Sequence, residues 1–174
     1  MKRSILKALP VLLCVSMAAA AQAPKAAKAD LKDANGKAVG TAKLKQTKTG
    51  VSIALSVMGL PAGTHAFHIH AVGTCAPPDF KSAGGHFNPE GKKHGLNNPD
   101  GPHAGDMPNI TVGANGKGKA KTLNTRVALG EGANSLFHEG GTALVIHEKA
   151  DDGMTDPAGN AGNRIACGVI EKTP

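Results

Sequence analysis

Six of the chain's eight histidines stand where they could gather metal ions. His68 and His70 lie two positions apart in FHIH, residues 67 to 70. In an extended strand successive side chains point to opposite faces, so these two imidazoles share one face while Phe67 and Ile69 share the other. Two imidazoles on a rigid strand make half of a transition-metal site, suited to zinc, copper, iron or nickel. His147 ends the apolar run TALVIH (142 to 147) just as His70 ends HAFHIH (65 to 70). Adding His86 gives four imidazoles, the nitrogen-rich tetragonal set that Cu(II) prefers. A second set sits in one polar stretch: His86, His94, His103 and Asp106. Three histidines and one carboxylate complete a tetrahedral zinc site with no open position, which is structural by that logic. His86 belongs to both sets, and the two nitrogens of one imidazole can bridge two metals. Of the remaining pair, His65 shares strand parity with Phe67 and Ile69, which predicts a hydrogen-bonded structural histidine, and His138 in LFHEGG reads as a loop residue.

Something must hold these side chains in place, and short strands are the only regular elements the sequence offers. Strand-like runs recur at 39–47, 51–57, 65–70, 109–114, 118–124, 142–147 and 164–170, punctuated by turn signals such as KTG, LPAG and Asn115-Gly116. No window sustains a helical period. Many short strands without helices predict an all-β antiparallel sandwich or barrel. Residues 71–108 and 148–163 are rich in Gly, Pro, Asn and Asp and have no strand pattern. Loops of such length inside a domain are functional or disordered. The first carries Cys75, His86, His94, His103 and Asp106, and a disulfide and a metal are the expected clips that hold it.

The amino terminus reads as a secretory signal peptide over residues 1–21: Lys2, Arg3 and Lys7 precede an apolar stretch that ends in small residues. That stretch is shorter than the ~20 residues a bilayer span needs, so no membrane association is expected once the signal is removed. Leu13 is bulky where a lipid-anchored Cys14 would want a small neighbour, so Cys14 is expected to leave with the signal. Residues 22–34 are expected to form a flexible tail, and 35–174 the folded domain. Cys75 and Cys167 then remain as an even pair in an exported chain and should form one disulfide. The formal charge of +7 falls to +4 without the leader, and Lys43/Lys45 and Lys117/Lys119/Lys121 alternate as on a solvated strand face. With no Trp or Tyr and four scattered Phe residues, no nucleic-acid partner is indicated.

Five segments, GTHAFHIH, GGHFNPEGKKHG, HAGDMPNI, TALVIHEKADD and GNAGNRIACGVI, together resemble the exported (periplasmic) bacterial copper/zinc superoxide dismutases, and the likeness spans essentially the whole chain after the leader. The resemblance implies a Greek-key flattened β-barrel of eight strands, an Ig-like sandwich with two long functional loops. It implies one copper per chain at His68, His70, His86 and His147, one zinc at His86, His94, His103 and Asp106, and a Cys75–Cys167 disulfide. The substrate would be the superoxide anion, dismutated to oxygen and hydrogen peroxide, with His86 taking up and returning a proton and Arg164 holding the anion. Asp151 matches the carboxylate that links a copper ligand to a zinc ligand from behind. The family occurs as monomers and homodimers, and nothing in the sequence chooses between them. The loop EKADDGMTDPAGNAGN is shorter than in eukaryotic members and lacks their acidic-and-lysine cluster, and Ala158 stands where they have a threonine. The alternative reading, a non-enzymatic periplasmic copper/zinc-binding relative, sits poorly with a chain that keeps every ligand and the arginine.

Overall fold

In the computed structural model, residues 25–173 are described, and the expected signal peptide lies outside them. Ten strands follow one another: β1 (Ala26–Lys32), β2 (Ala38–Gln46), β3 (Val51–Val57), β4 (Gly63–His65), β5 (Phe67–His70), β6 (Ile110–Val112), β7 (Gly118–Asn124), β8 (Ala143–His147), β9 (Arg164–Val169) and β10 (Glu171–Lys172). All pairings are antiparallel, in the order β4-β6-β7-β3-β2-β1-β9-β8-β5, with β10 beside β1. The two ends of that order are consecutive in the chain. Only Ala66 separates β4, which pairs with β6, from β5, which pairs with β8. Residues 63–70 thus bring the sheet round on itself, giving an all-β, nearly closed antiparallel barrel. Ala66 is buried at the seam, donating to the Lys149 carbonyl and accepting from the His147 amide.

The flexible tail expected over residues 22–34 is corrected by β1, which pairs with β2 along its whole length and with both β9 and β10. Its sequence AAKADLK alternates as a strand should, with Ala27, Ala29 and Leu31 buried. Two of its three inward residues are alanines, too small to stand out as a core face. The segment HAFHIH, read as one strand, is two, because its halves pair with opposite ends of the sheet.

The interior is filled by alternate residues: Val51, Ile53, Leu55 and Val57 from β3, Leu44 from β2, Phe67 and Ile69 from β5, Leu144 and Ile146 from β8. What positions the functional residues is the other side of β5, β8 and β9. There Ala143, Val145 and Cys167 pack outside the barrel against Phe80, Ala83 and Cys75. The long loop therefore brings its own small core, and the Cys75–Cys167 disulfide, with 5.7 Å between Cα atoms, fastens it to β9 across 92 positions. Cross-linking a loop of that size is worth about 4 to 5 kcal/mol by the chain-entropy estimate, less any residual structure in the unfolded chain. Reduction of this bond should lower the denaturant midpoint clearly; an unchanged midpoint after verified thiol release would reject the role.

Candidate metal centre

Residues 85–87 of the long loop run beside β5. The Ala71 amide donates to the Gly85 carbonyl and the Phe87 amide to that of Ile69, so His86 lies opposite His70. The next turn is laid on the same edge: the Ile69 amide donates to the Gly105 carbonyl, and the Gly105 amide donates to that of Phe87. A Cβ at Gly105 would collide with the Ile69 carbonyl, so only glycine lets His103 and Asp106 come this close to the strand. Two side chains absent from the sequence reading hold that turn from below. Arg126 donates to the carbonyls of Asp106 (2.6 Å) and His103 (3.2 Å), and Asn124 donates to that of Ala104 (2.8 Å). Their positions at and after the end of β7 carry no motif that would have singled them out.

One nitrogen from each of His68, His70, His86 and His147 lies within 4.8 Å of the others, and so do the donor atoms of His86, His94, His103 and Asp106. Hydrogen bonds fix which nitrogen faces inward. The Nε2–H of His68 donates to the Asp151 carboxylate at 2.8 Å, leaving Nδ1 with its lone pair, while His94 sets Nε2 3.0 Å from Asp151 and turns Nδ1 to within 3.0 Å of Asp106. His70 donates from Nδ1 to the Gly84 carbonyl (2.9 Å), leaving Nε2, which stands 3.4 Å from Nε2 of His147. His86 turns Nδ1 toward Asp106 (2.9 Å) and the Nδ1 of His103 (3.4 Å). Its Nε2, like Nδ1 of His68, is buried with no hydrogen-bond partner. Asp151 is kept in place by the Gly153 amide and, through its own backbone, by Asn109. Gly159, at φ +61°, packs so closely that a Cβ would overlap the Asp151 carboxylate.

This arrangement fits two cations. In the first set, lone pairs converge where burial disfavours protonation: it lowers His70 to about 2 and His86 and His147 to about 4, and lowers His68 as well. In the second, four of the six edges among donor atoms run from 2.9 to 3.4 Å, close to the ~3.3 Å edge of a tetrahedron with metal–nitrogen bonds of about 2.0 to 2.1 Å. Asp106 is as suited to charge: burial opposes its ionisation, yet hydrogen bonds from His103, His86, His94 and the Gly95 amide hold it well below the usual carboxylate range. Asp151 is likewise depressed against burial by His68 and His94.

The same shifts set how the metal-free protein responds to pH. The four depressed histidines take up protons near pH 6.5 only when unfolded, so the fold loses stability as pH falls below that value. Asp106 and Asp151 add to the loss once pH passes below about 4, where only the unfolded carboxylates bind protons. His94 acts the other way: burial lowers it, but Asp106 and Asp151 overcome this and raise it to about 9. Its contribution is complete below pH 6.5 and lost as pH rises toward 9. Denaturant midpoints of metal-free protein should therefore be highest near pH 6 to 7 and fall on both sides; a midpoint still rising at pH 4.5 would contradict the buried neutral imidazoles.

Arg164 reaches this centre through an irregularity. Pairing between β8 and β9 shifts at Ile146/His147, so Ala166 faces Ile146 but Arg164, not Ile165, faces His147. Ile165 turns to the core, and the bulge re-aims the arginine outward. Its guanidinium donates to the carbonyls of Phe80 and Gly84, both at 2.6 Å, so Gly84 is shared with His70. A cleft of about 370 Å3 opens there, lined by His70, His86, His103, His147, Pro157, Ala158 and Arg164 among others. His65 lies apart, its ring nitrogens 2.9 Å from the carbonyls of His147 and Pro61, and the His138 ring stacks on Phe87.

A β-barrel carrying an imidazole-rich and a histidine–carboxylate donor set joined through one histidine defines a dinuclear metalloprotein of the copper/zinc type. Residues 38–170 match the family model for copper/zinc superoxide dismutase (SODC). The chain belongs to the copper/zinc superoxide dismutase family. It is 59% identical over 146 residues to superoxide dismutase [Cu-Zn] 2 of Aquifex aeolicus, covering 83% of this chain and 85% of that one. It is 46% identical over 138 residues to the superoxide dismutase-like protein YojM of Bacillus subtilis, covering 78% and 70%. Among solved structures it matches a double mutant of a SOD-like protein from Bacillus subtilis, in which a tyrosine and a proline are replaced by histidine, with a TM-score of 0.79 and 46% identity over 82% of this chain and 95% of that one.

Proposed function

We propose that this protein dismutates superoxide to oxygen and hydrogen peroxide at a copper held by His68, His70, His86 and His147, joined through His86 to a structural zinc held by His86, His94, His103 and Asp106. One observation carries the reading: His86 turns Nδ1 into the carboxylate-bearing set while its buried Nε2, without a hydrogen-bond partner, faces the all-imidazole set. Copper, when bound, supplies a one-electron couple that oxidises one superoxide and reduces a second. The chain draws in the anion, orients the ligands and moves a proton. The fixed cation of Arg164, beside His70 and His147 at the cleft, attracts a small monoanion. Nε2 of His86 takes up a proton from solvent and returns it toward the reduced oxygen species, and solvent at the cleft provides the second proton that hydrogen peroxide needs. Asp151 orients His68 and His94 together, coupling the geometry of the two sets.

The basic-then-apolar leader over residues 1–21 supports export to the periplasm, where two cysteines would oxidise. A non-enzymatic metal-binding relative is disfavoured because all seven donor residues and Arg164 converge here. The deciding experiment is metal analysis with superoxide turnover on purified protein. One copper and one zinc per chain with fast turnover is expected, and full copper loading without turnover would establish the carrier reading instead.

A further inference from the structure

The barrel carries a second charged feature, on the side away from the metal residues. Register places Lys28, Lys43, Ala54 and Lys121 in one row across β1, β2, β3 and β7. The neighbouring rows run Ala26, Lys45, Ser52, Leu123 and Asp30, Thr41, Ser56, Lys119. All of these residues point outward, so two lysine-alternating strands distant in sequence become one face. Neighbours lie ~4.8 Å apart across strands and ~6.8 Å along them, which spreads the ammonium groups over roughly 15 Å. The nearby carboxylates, Asp30 and Glu171, sit at the β1 edge beside Lys28, and Asp30 pairs with it at 2.6 Å. Lys43, Lys45, Lys119 and Lys121 are exposed and have no ion-pair partner among the described residues. Lys28 directly opposite Lys43 is a like-charge pair that costs stability in a sheet. A shallow trough of about 460 Å3 runs among Lys25, Lys28, Lys43 and Lys45, floored by small residues such as Ala26, Ser52 and Ala54, with Lys119 and Lys121 on the same face beyond its lining.

We propose that this trough binds a linear polyanion, an extended chain of closely spaced phosphates, and so tethers the enzyme with its metal cleft free. Lysines are flexible point charges and no arginine fork or aromatic ring joins them, so the face reads charge density rather than a particular monomer. Flanking lysine walls suit a chain lying along the trough better than a flat bilayer. In the strand order β2 and β3 are separated from β8 and β5 on either side by other strands, which puts the trough across the barrel from the metal cleft.

The inference does not depend on the copper chemistry and can fail or succeed without it. The test uses metal-loaded protein and long-chain inorganic polyphosphate. With about four lysines engaged, affinity should fall roughly sevenfold for each doubling of salt. Lys43→Gln/Lys45→Gln should weaken binding at least about tenfold at low salt, while Lys37→Gln/Lys92→Gln, the same charge change elsewhere, should alter it less than about twofold. Superoxide turnover should be unchanged at saturating polyphosphate. Equal losses in the two double variants would reduce the effect to net charge. Inhibition of turnover would move the polyanion to the metal cleft, and binding to phosphatidylglycerol vesicles without binding to polyphosphate would make the occupant a membrane. Each of these outcomes overturns the proposal, as does no binding at all.

Discussion

Replacing His86 by alanine is expected to strip both metals from the protein and abolish turnover. This side chain alone gives one nitrogen to each donor set, so its loss leaves each with three donors. Losing merely a hydrogen-bonding partner of a ligand costs about 10 to 100-fold in metal affinity, and losing the ligand itself should cost more at both sites. His103 provides the contrast, since it belongs to the second set only. His103→Ala should lower zinc content while copper still loads. Metal content after dialysis against a weak chelator separates the cases, and full zinc occupancy in His86→Ala would refute the bridging role.

Arg164→Glu should leave the barrel folded and both metals bound yet slow turnover by at least about tenfold. Superoxide is small and offers few contacts, so charge must supply most of its capture. Steering of this kind raises association rates by about 10 to 1000-fold and weakens with ionic strength, the Debye length being ~8 Å at 0.15 M. Burial lowers the Arg164 pKa, but a guanidinium starts so high that it stays charged. Lysine at this position should retain more activity than glutamate, though it cannot span the Phe80 and Gly84 carbonyls with a planar fork. Pulse-radiolysis rates across a salt series should fall steeply for the wild type and less, or not at all, for the glutamate variant. Equal rates and equal salt slopes at full copper occupancy would remove Arg164 from the mechanism.

The donor residues were legible in the sequence because histidines are few and each donor histidine stands in a short apolar strand or a strandless loop, where chemistry is the economical explanation. Arg164 was reached by resemblance, since its direction depends on a bulge between Ile146 and His147 that no local pattern announces. The clamp of Asn124 and Arg126 under the Asp106 turn was missed because polar residues beside a strand end look like any loop start. β1 was hidden for a different reason: alanine makes a weak inward signal, and its burial is decided by partners far along the chain. The lysine face shows the same limit from the outside. Alternation was visible on two separate strands, but their sharing one face on either side of β3 is a property of the fold.

The pairing of β1 with both β9 and β10 also imposes an order on the birth of the molecule. As the chain emerges into the compartment where it folds, β1, β2 and β3 can join first, but the strands that complete β1's other edge come last. Glu171, the partner of Lys28, is among the last residues to emerge, and until then the outer edge of β1 lies open to pairing with another chain. The outer face beside that edge bears Lys28, Lys43 and Lys45, charges of the kind that discourage such pairing.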